Sequence, residues 1–187
     1  AMIATVIASA ACGKTKEQTP AEALLGKLGE FIENGQIMFG HQDTYLYGHS
    51  WKVEADQTEF NRSDVHDVIG QYPALYGMDL GGIELDSPLN IDKNDFNHMR
   101  ASAIAHHERG GVITFSWHPM NPLTGGTTWD NASTEVVASI LPGGENHEKF
   151  MGWLSKAADY LGSIKDAEGN LIPLVFRPWH EHTRDWF

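Results

Sequence analysis

A carboxylic acid that must keep its proton until a reaction needs it is well placed at the end of a buried strand, beside aromatic rings. Glu181 has that setting. It stands between His180 and His182, after the apolar run Leu171-Ile172-Pro173-Leu174-Val175-Phe176, and Trp186 and Phe187 follow closely. Apolar surroundings disfavour the ionised carboxylate and lift its pKa toward the range a general acid needs. His180 and His118 each close an apolar run, where a neutral imidazole can bond a hydroxyl or orient a carboxylate. His41, in Gly40-His41-Gln42-Asp43, and Asp79 occupy equivalent positions after two further runs. Trp117, Trp129 and Trp186 lie at or beyond such run ends, where an indole can stack on the apolar C–H face of a sugar ring or simply pack the loop down. Trp179 is expected to be packed away. Asp79 and Glu84 are read as buried, hydrogen-bonded or ion-paired carboxylates rather than as the second member of a hydrolytic pair.

Ten histidines raise the question of a metal. No HExxH occurs, and His180-Glu181-His182 lacks the four-residue spacing that sets two histidines on one helix face. His106 and His107 are adjacent within a helical segment and so do not share a face. The expectation is therefore no metal and no cofactor, with most other histidines structural or exposed.

The elements that must position these groups alternate. Thr19-Pro20-Ala21-Glu22 reads as a capped helix start, and Leu24, Leu25, Leu28, Phe31 and Ile32 keep helical spacing until Asn34-Gly35. Ile37-Met38-Phe39 reads as the first strand. A short helix is expected over 63–69, a second strand over 74–78, a helix over 92–109 and a third strand over 112–115. A further helix covers 148–164, and 171–176 is the fourth strand. Continuous apolar strands alternating with amphipathic helices indicate parallel strands buried on both faces. Both an open doubly wound sheet and a (β/α)8 TIM barrel fit. Polar groups follow all four strands, no glycine-rich phosphate loop follows the first, and a barrel brings every strand end to one mouth. The pattern therefore favours, together with the resemblance given below, the fold class α/β, a (β/α)8 TIM barrel. This chain supplies roughly the first four strand–helix units, since a whole barrel takes about 250 residues.

The chain of 187 residues is 41% hydrophobic, enough for a sizeable core, and carries a formal charge of −12. So acidic a surface excludes nucleic acid and anionic membranes as natural partners. The single cysteine, Cys12, excludes an internal disulfide. It follows an apolar run of small residues too short to span a bilayer, and Ser9-Ala10-Ala11-Cys12 resembles a loose lipobox. Residues 1–18 are accordingly read as a lipoprotein-type signal and tether, lipidated at Cys12, and residues 19–187 as the N-terminal part of a catalytic domain. Export to the periplasm, outer membrane or cell surface follows from that reading.

Four segments then appear in order: Phe39-Gly40-His41-Gln42-Asp43, Tyr76-Gly77-Met78-Asp79, Val112-Ile113-Thr114-Phe115-Ser116-Trp117-His118 with Asn121-Pro122, and Phe176-Arg177-Pro178-Trp179-His180-Glu181. Together they resemble glycoside hydrolase family 26, the bacterial β-mannanases built on retaining (β/α)8 barrels. The leader likewise looks like that of a glycan-degrading lipoprotein of Bacteroides type. The resemblance implies that Glu181 is the general acid/base and His180 its support. It also implies that His118, Trp129 and Trp186 line the sugar cleft. The family's nucleophile is a glutamate on the seventh strand, so no residue here inherits that role. Arg184 stands where the family usually has glycine. The implied activity is retaining hydrolysis of internal β-1,4-mannosidic bonds in mannan, glucomannan or galactomannan. The alternatives are another β-glycanase of the same family, on mixed-linkage glucan or β-1,3-xylan, or a non-catalytic glycan-binding protein. The half-barrel by itself is expected to be inactive and to need the remaining half for a closed fold.

Overall fold

A computed structural model describes residues 18–181 and residue 183. Cys12 and Trp186 therefore lie outside the described residues. Helix α1 (Pro20–Glu33) begins as its sequence demands: the Thr19 hydroxyl accepts the Glu22 N–H and the Glu22 carboxylate accepts the Thr19 N–H. Next come β1 (Gly40–Gln42), the short strands β2 (Tyr47–Gly48) and β3 (Trp51–Lys52), and α2 (Asp64–Ile69). They are followed by β4 (Leu75–Asp79), a 3-10 turn (Ile83–Leu85), α3 (Phe96–Glu108) and β5 (Val112–Trp117). The chain then forms α4 (Val136–Ile140), α5 (His147–Gly162) and β6 (Val175–Pro178).

The main sheet has the order β1-β4-β5-β6, every pair parallel, so each strand lies beside the next with helix between them. That sequential order is the one a barrel builds. Side chains alternate across each strand. On one face, in register, stand Gln42 and Gly77, Asp79 and Ser116, and Ser116 and Arg177. This inner layer is polar. The opposite face carries Tyr76, Met78, Ile113, Phe115 and Trp117, all completely buried, and packs on the helices. There Tyr76 bonds the Ser102 hydroxyl on α3 at 2.9 Å, and Phe115 meets Tyr160 of α5 edge-on. His106 is buried in this layer with Nδ1 2.9 Å from the Tyr45 hydroxyl, a structural histidine as expected.

Three boundaries differ from the sequence reading. The first strand is Gly40–Gln42, not Ile37-Met38-Phe39, and Ile37 is 96% exposed. Pairing with Leu75–Gly77, rather than apolarity, sets where that strand lies. Helix α3 starts at Phe96 because the Asp95 carboxylate accepts the N–H groups of Asn97 and His98. β6 starts at Val175, after Leu171 has formed an antiparallel bridge with Lys165. The β2–β3 hairpin and α4 had no strong periodic signal and were not anticipated.

Candidate active site at the strand ends

The inner layer continues past the strand ends into a cluster of chemically competent groups. Asp79 closes β4, and its buried carboxylate is nearly saturated. Oδ1 accepts the N–H of Gly81 at 2.7 Å and of His118 at 3.2 Å; Oδ2 accepts the Ser116 hydroxyl at 2.6 Å. The His118 Nδ1 lies 2.7 Å from the same Oδ2. Burial works against charge on Asp79, yet the bonds from His118 and Ser116 outweigh it and hold the carboxyl below its ordinary value. Burial likewise works against an imidazolium at His118, but the hydrogen bond and charge of Asp79 lift its pKa above the ordinary value. The short contact thus favours the charged form of each group. Asp79 is the hydrogen-bonded carboxylate expected from sequence; its pairing with His118 was not foreseen.

His180 meets the His118 ring edge-on, with centroids 4.5 Å apart. Burial and then the His118 charge lower its pKa, so His180 is the neutral member of the pair. The chain reaches it by leaving β6 in left-handed backbone: Trp179 has φ 48° and Glu181 φ 57°. For residues with a Cβ this costs on the order of 1 kcal/mol each, a strain typical of functional turns. Glu181 is exposed, and its charge acts on both His118 and His180. The expected apolar enclosure of Glu181 is therefore not supplied by the described residues. Trp179, expected to be packed away, leans on Phe150 at 5.7 Å with 37% of its surface exposed.

Two aromatic expectations separate here. Trp129 is 59% exposed, its ring 6.4 Å from that of His118 and tilted by 39°. The loop that presents it is tied down by buried Asn121, whose amide donates to Asp130 O at 2.8 Å and whose Oδ1 accepts from Leu123 and Thr124. The Thr128 hydroxyl adds a bond to Pro119 O at 2.6 Å. Trp117 is corrected: it is fully buried on the helix side, stacked on Phe150, with its indole N–H donating to Glu84 at 3.1 Å. It supports the site and does not face a ligand. Glu84 also accepts the N–H groups of Met120 and Gly82, which makes it a structural carboxylate as expected. His41 is corrected in the same way. Its neighbour Gln42 lies over Gly77, where a Cβ would come within 2.4 Å of the Gln42 Oε1, so strand alternation turns His41 to the other face. Gln42 is the inward residue of that pair and was missed.

Asp43 was also passed over. It is completely buried at φ 50°; Oδ1 has no well-aligned hydrogen-bond partner among the described residues, Oδ2 receives a long bond from the Tyr47 hydroxyl, and the Asn94 side chain also acts on the carboxylate. Burial, then the charge of Asp92, push its pKa up to about 7. Finally, Asp79, His118 and His180 each bring a donor atom within 4.8 Å of the other two. Spacing within one segment does not reveal them, because the three come from three strand ends.

Parallel strands in sequential order, with imidazoles and carboxylates gathered at their carboxyl ends, are the arrangement that part of a (β/α)8 barrel presents. The chain belongs to glycosyl hydrolase family 26, whose sequence pattern matches residues 15–187. It is similar to a β-mannanase of that family from Bacteroides ovatus: 48% identity and a TM-score of 0.83, over 90% of this chain and 47% of that one. An endo-β-1,4-mannanase catalytic domain from Bacillus sp. JAMB-750 matches at 36% identity with a TM-score of 0.76, over 90% of this chain and 44% of that one. A mannan endo-1,4-β-mannosidase of Bifidobacterium adolescentis is 34% identical over 166 residues, which is 82% of this chain and 15% of that protein. The chain thus spans less than half the length of each of these relatives.

Proposed function

We propose that the chain is the acid/base-bearing part of a retaining endo-β-1,4-mannanase acting on mannan, glucomannan or galactomannan. The observation that carries this is the meeting of Glu181's charge with the His118–His180 pair at the barrel mouth, in a family whose similar members are mannanases.

Glu181 donates its proton to the glycosidic oxygen as the bond to the anomeric carbon breaks. A second carboxylate, outside residues 1–187 and about 5 Å away, forms the glycosyl ester. Glu181, now ionised, takes a proton from water, whose oxygen attacks the anomeric carbon and releases the second carboxylate. The His118–Asp79 pair presents a fixed donor to a sugar hydroxyl, and neutral His180 can donate or accept. Trp129, with Trp186 further along, offers the stacking face. Cys12 is proposed as the lipid attachment point of an exported protein, which mass spectrometry of the mature N-terminus would test.

The test is Glu181→Ala in a protein of the relatives' full length, assayed on mannan and on a mannoside with an activated leaving group. Polysaccharide turnover should fall by about 10²–10⁴-fold. The first step on the activated substrate should survive, because its leaving group needs little protonation. Unchanged turnover of mannan would remove Glu181 from the role. A panel including mixed-linkage glucan and β-1,3-xylan reads the substrate.

A further inference from the structure

The strand ends hold a second chemistry that does not depend on the hydrolase reading. Asp79 ends β4, His118 follows β5 and His180 follows β6, each with a donor atom within 4.8 Å of both others. Zinc-class ions bind imidazole nitrogen and carboxylate oxygen at about 2.0–2.2 Å, so neighbouring donors in a tetrahedral shell lie about 3.3–3.6 Å apart. Closing the widest spacing takes up to about 1.4 Å of side-chain movement. The His118 Nδ1 and Asp79 Oδ2, 2.7 Å apart, already share one proton where an ion can substitute.

Two imidazoles and one carboxylate form a donor set that suits zinc, copper or nickel and leaves positions open for water. Calcium and magnesium, which take oxygen ligands, are disfavoured. Local charge also favours a dication: Asp79, Asp92 and Glu181 all act on His118. Asp79 is held in place, since its carboxylate is bonded by Gly81 and Ser116 and its carbonyl accepts the Asn90 amide at 3.0 Å.

We propose that Asp79, His118 and His180 form a binding site for one divalent transition-metal ion of the zinc class at the mouth of the barrel.

The metal-free chain is titrated with Zn²⁺ against a chromophoric chelator, and with Co²⁺ while the visible d–d absorption is recorded. The same titrations are run on His118→Gln, His180→Gln and Asp79→Asn, with exposed His49→Gln as control and circular dichroism as the check on folding. The expected result is one equivalent bound tightly by wild type and by His49→Gln, and an affinity at least tenfold lower in the triad variants. His180→Gln lies beyond the last strand and keeps the test decisive if Asp79→Asn fails to fold. Absence of stoichiometric binding by wild type overturns the proposal. So does binding that is unchanged in both His118→Gln and His180→Gln, which would assign the metal to other histidines. Neither result bears on the Glu181 assay, so the two readings fail separately.

Discussion

Replacing Asp43 by asparagine should change how the stability of this chain depends on pH, not merely its size. Folding buries Asp43 completely, leaves one carboxylate oxygen without a well-aligned partner among the described residues, and sets Asp92 and Asp79 nearby. Its pKa rises from 3.8 to about 7. A group whose folded pKa is raised contributes stability that is complete below the unfolded value and lost as pH climbs through the folded one. The shift corresponds to about 4 kcal/mol, lost between about pH 4 and pH 7. Asparagine has the same shape and no proton to lose. The difference in unfolding free energy, variant minus wild type, should therefore climb by up to about 1.4 kcal/mol per pH unit across that window and flatten above it. His106 titrates with the opposite sign. Burial lowers its pKa to about 4, so its contribution is lost as pH falls from about 6.5 toward 4. It is present in both proteins and cancels in the difference. Urea unfolding at half-unit steps from pH 4.5 to 8 measures the slope, and any fixed cost of the amide appears only as an offset. A difference that stays constant with pH would refute the reasoning.

Asp79→Asn removes the charge and the Oδ2 acceptor beside His118, so the His118 pKa should fall below its wild-type position. Histidine Cε1–H resonances followed by NMR across pH 5–9 report it, and an unmoved titration would break the pairing of Asp79 with His118. Trp129→Ala and Trp117→Phe should separate binding from support in a protein of the relatives' full length. The first should weaken manno-oligosaccharide binding about tenfold, near 1.4 kcal/mol, with little change in stability. The second leaves buried Glu84 short of a donor and should cost about 1–3 kcal/mol of stability in urea unfolding. Thr19→Ala removes the cap of α1, worth about 1 kcal/mol. That helix buries no residue, so the loss should appear as faster amide exchange in its first turn rather than as a lower global stability.

The corrections share one cause. Trp117 and His41 sit directly beside residues that do face the mouth, Ser116 with His118 on one strand end and Gln42 on the other. A shift of one residue along a strand turns a side chain to the opposite face. The linear chain shows that both residues lie at a strand end, but not which parity faces inward. Pairing settles that, through registers such as Asp79 beside Ser116 and Gln42 beside Gly77. The same limit applied to the donor triad and to the partnership of Asp79 with His118, whose members are 39 residues apart and meet only across adjacent strands.

What the sequence determined by itself is therefore local. The capping box at Thr19 and Glu22, the apolar runs that became β4 and β5, and the polar residue at or just past each strand end all depend on neighbours a few positions away. The family motifs are likewise short segments in a fixed order. The tertiary structure alone decided that Asp79 favours a charged His118, that Trp117 faces helices while Trp129 faces outward, and that Asp43 is buried close to Asp92 and Asp79. Those are statements about electrostatics and direction. They depend on distances through space, which a chain acquires only when its strands take their register.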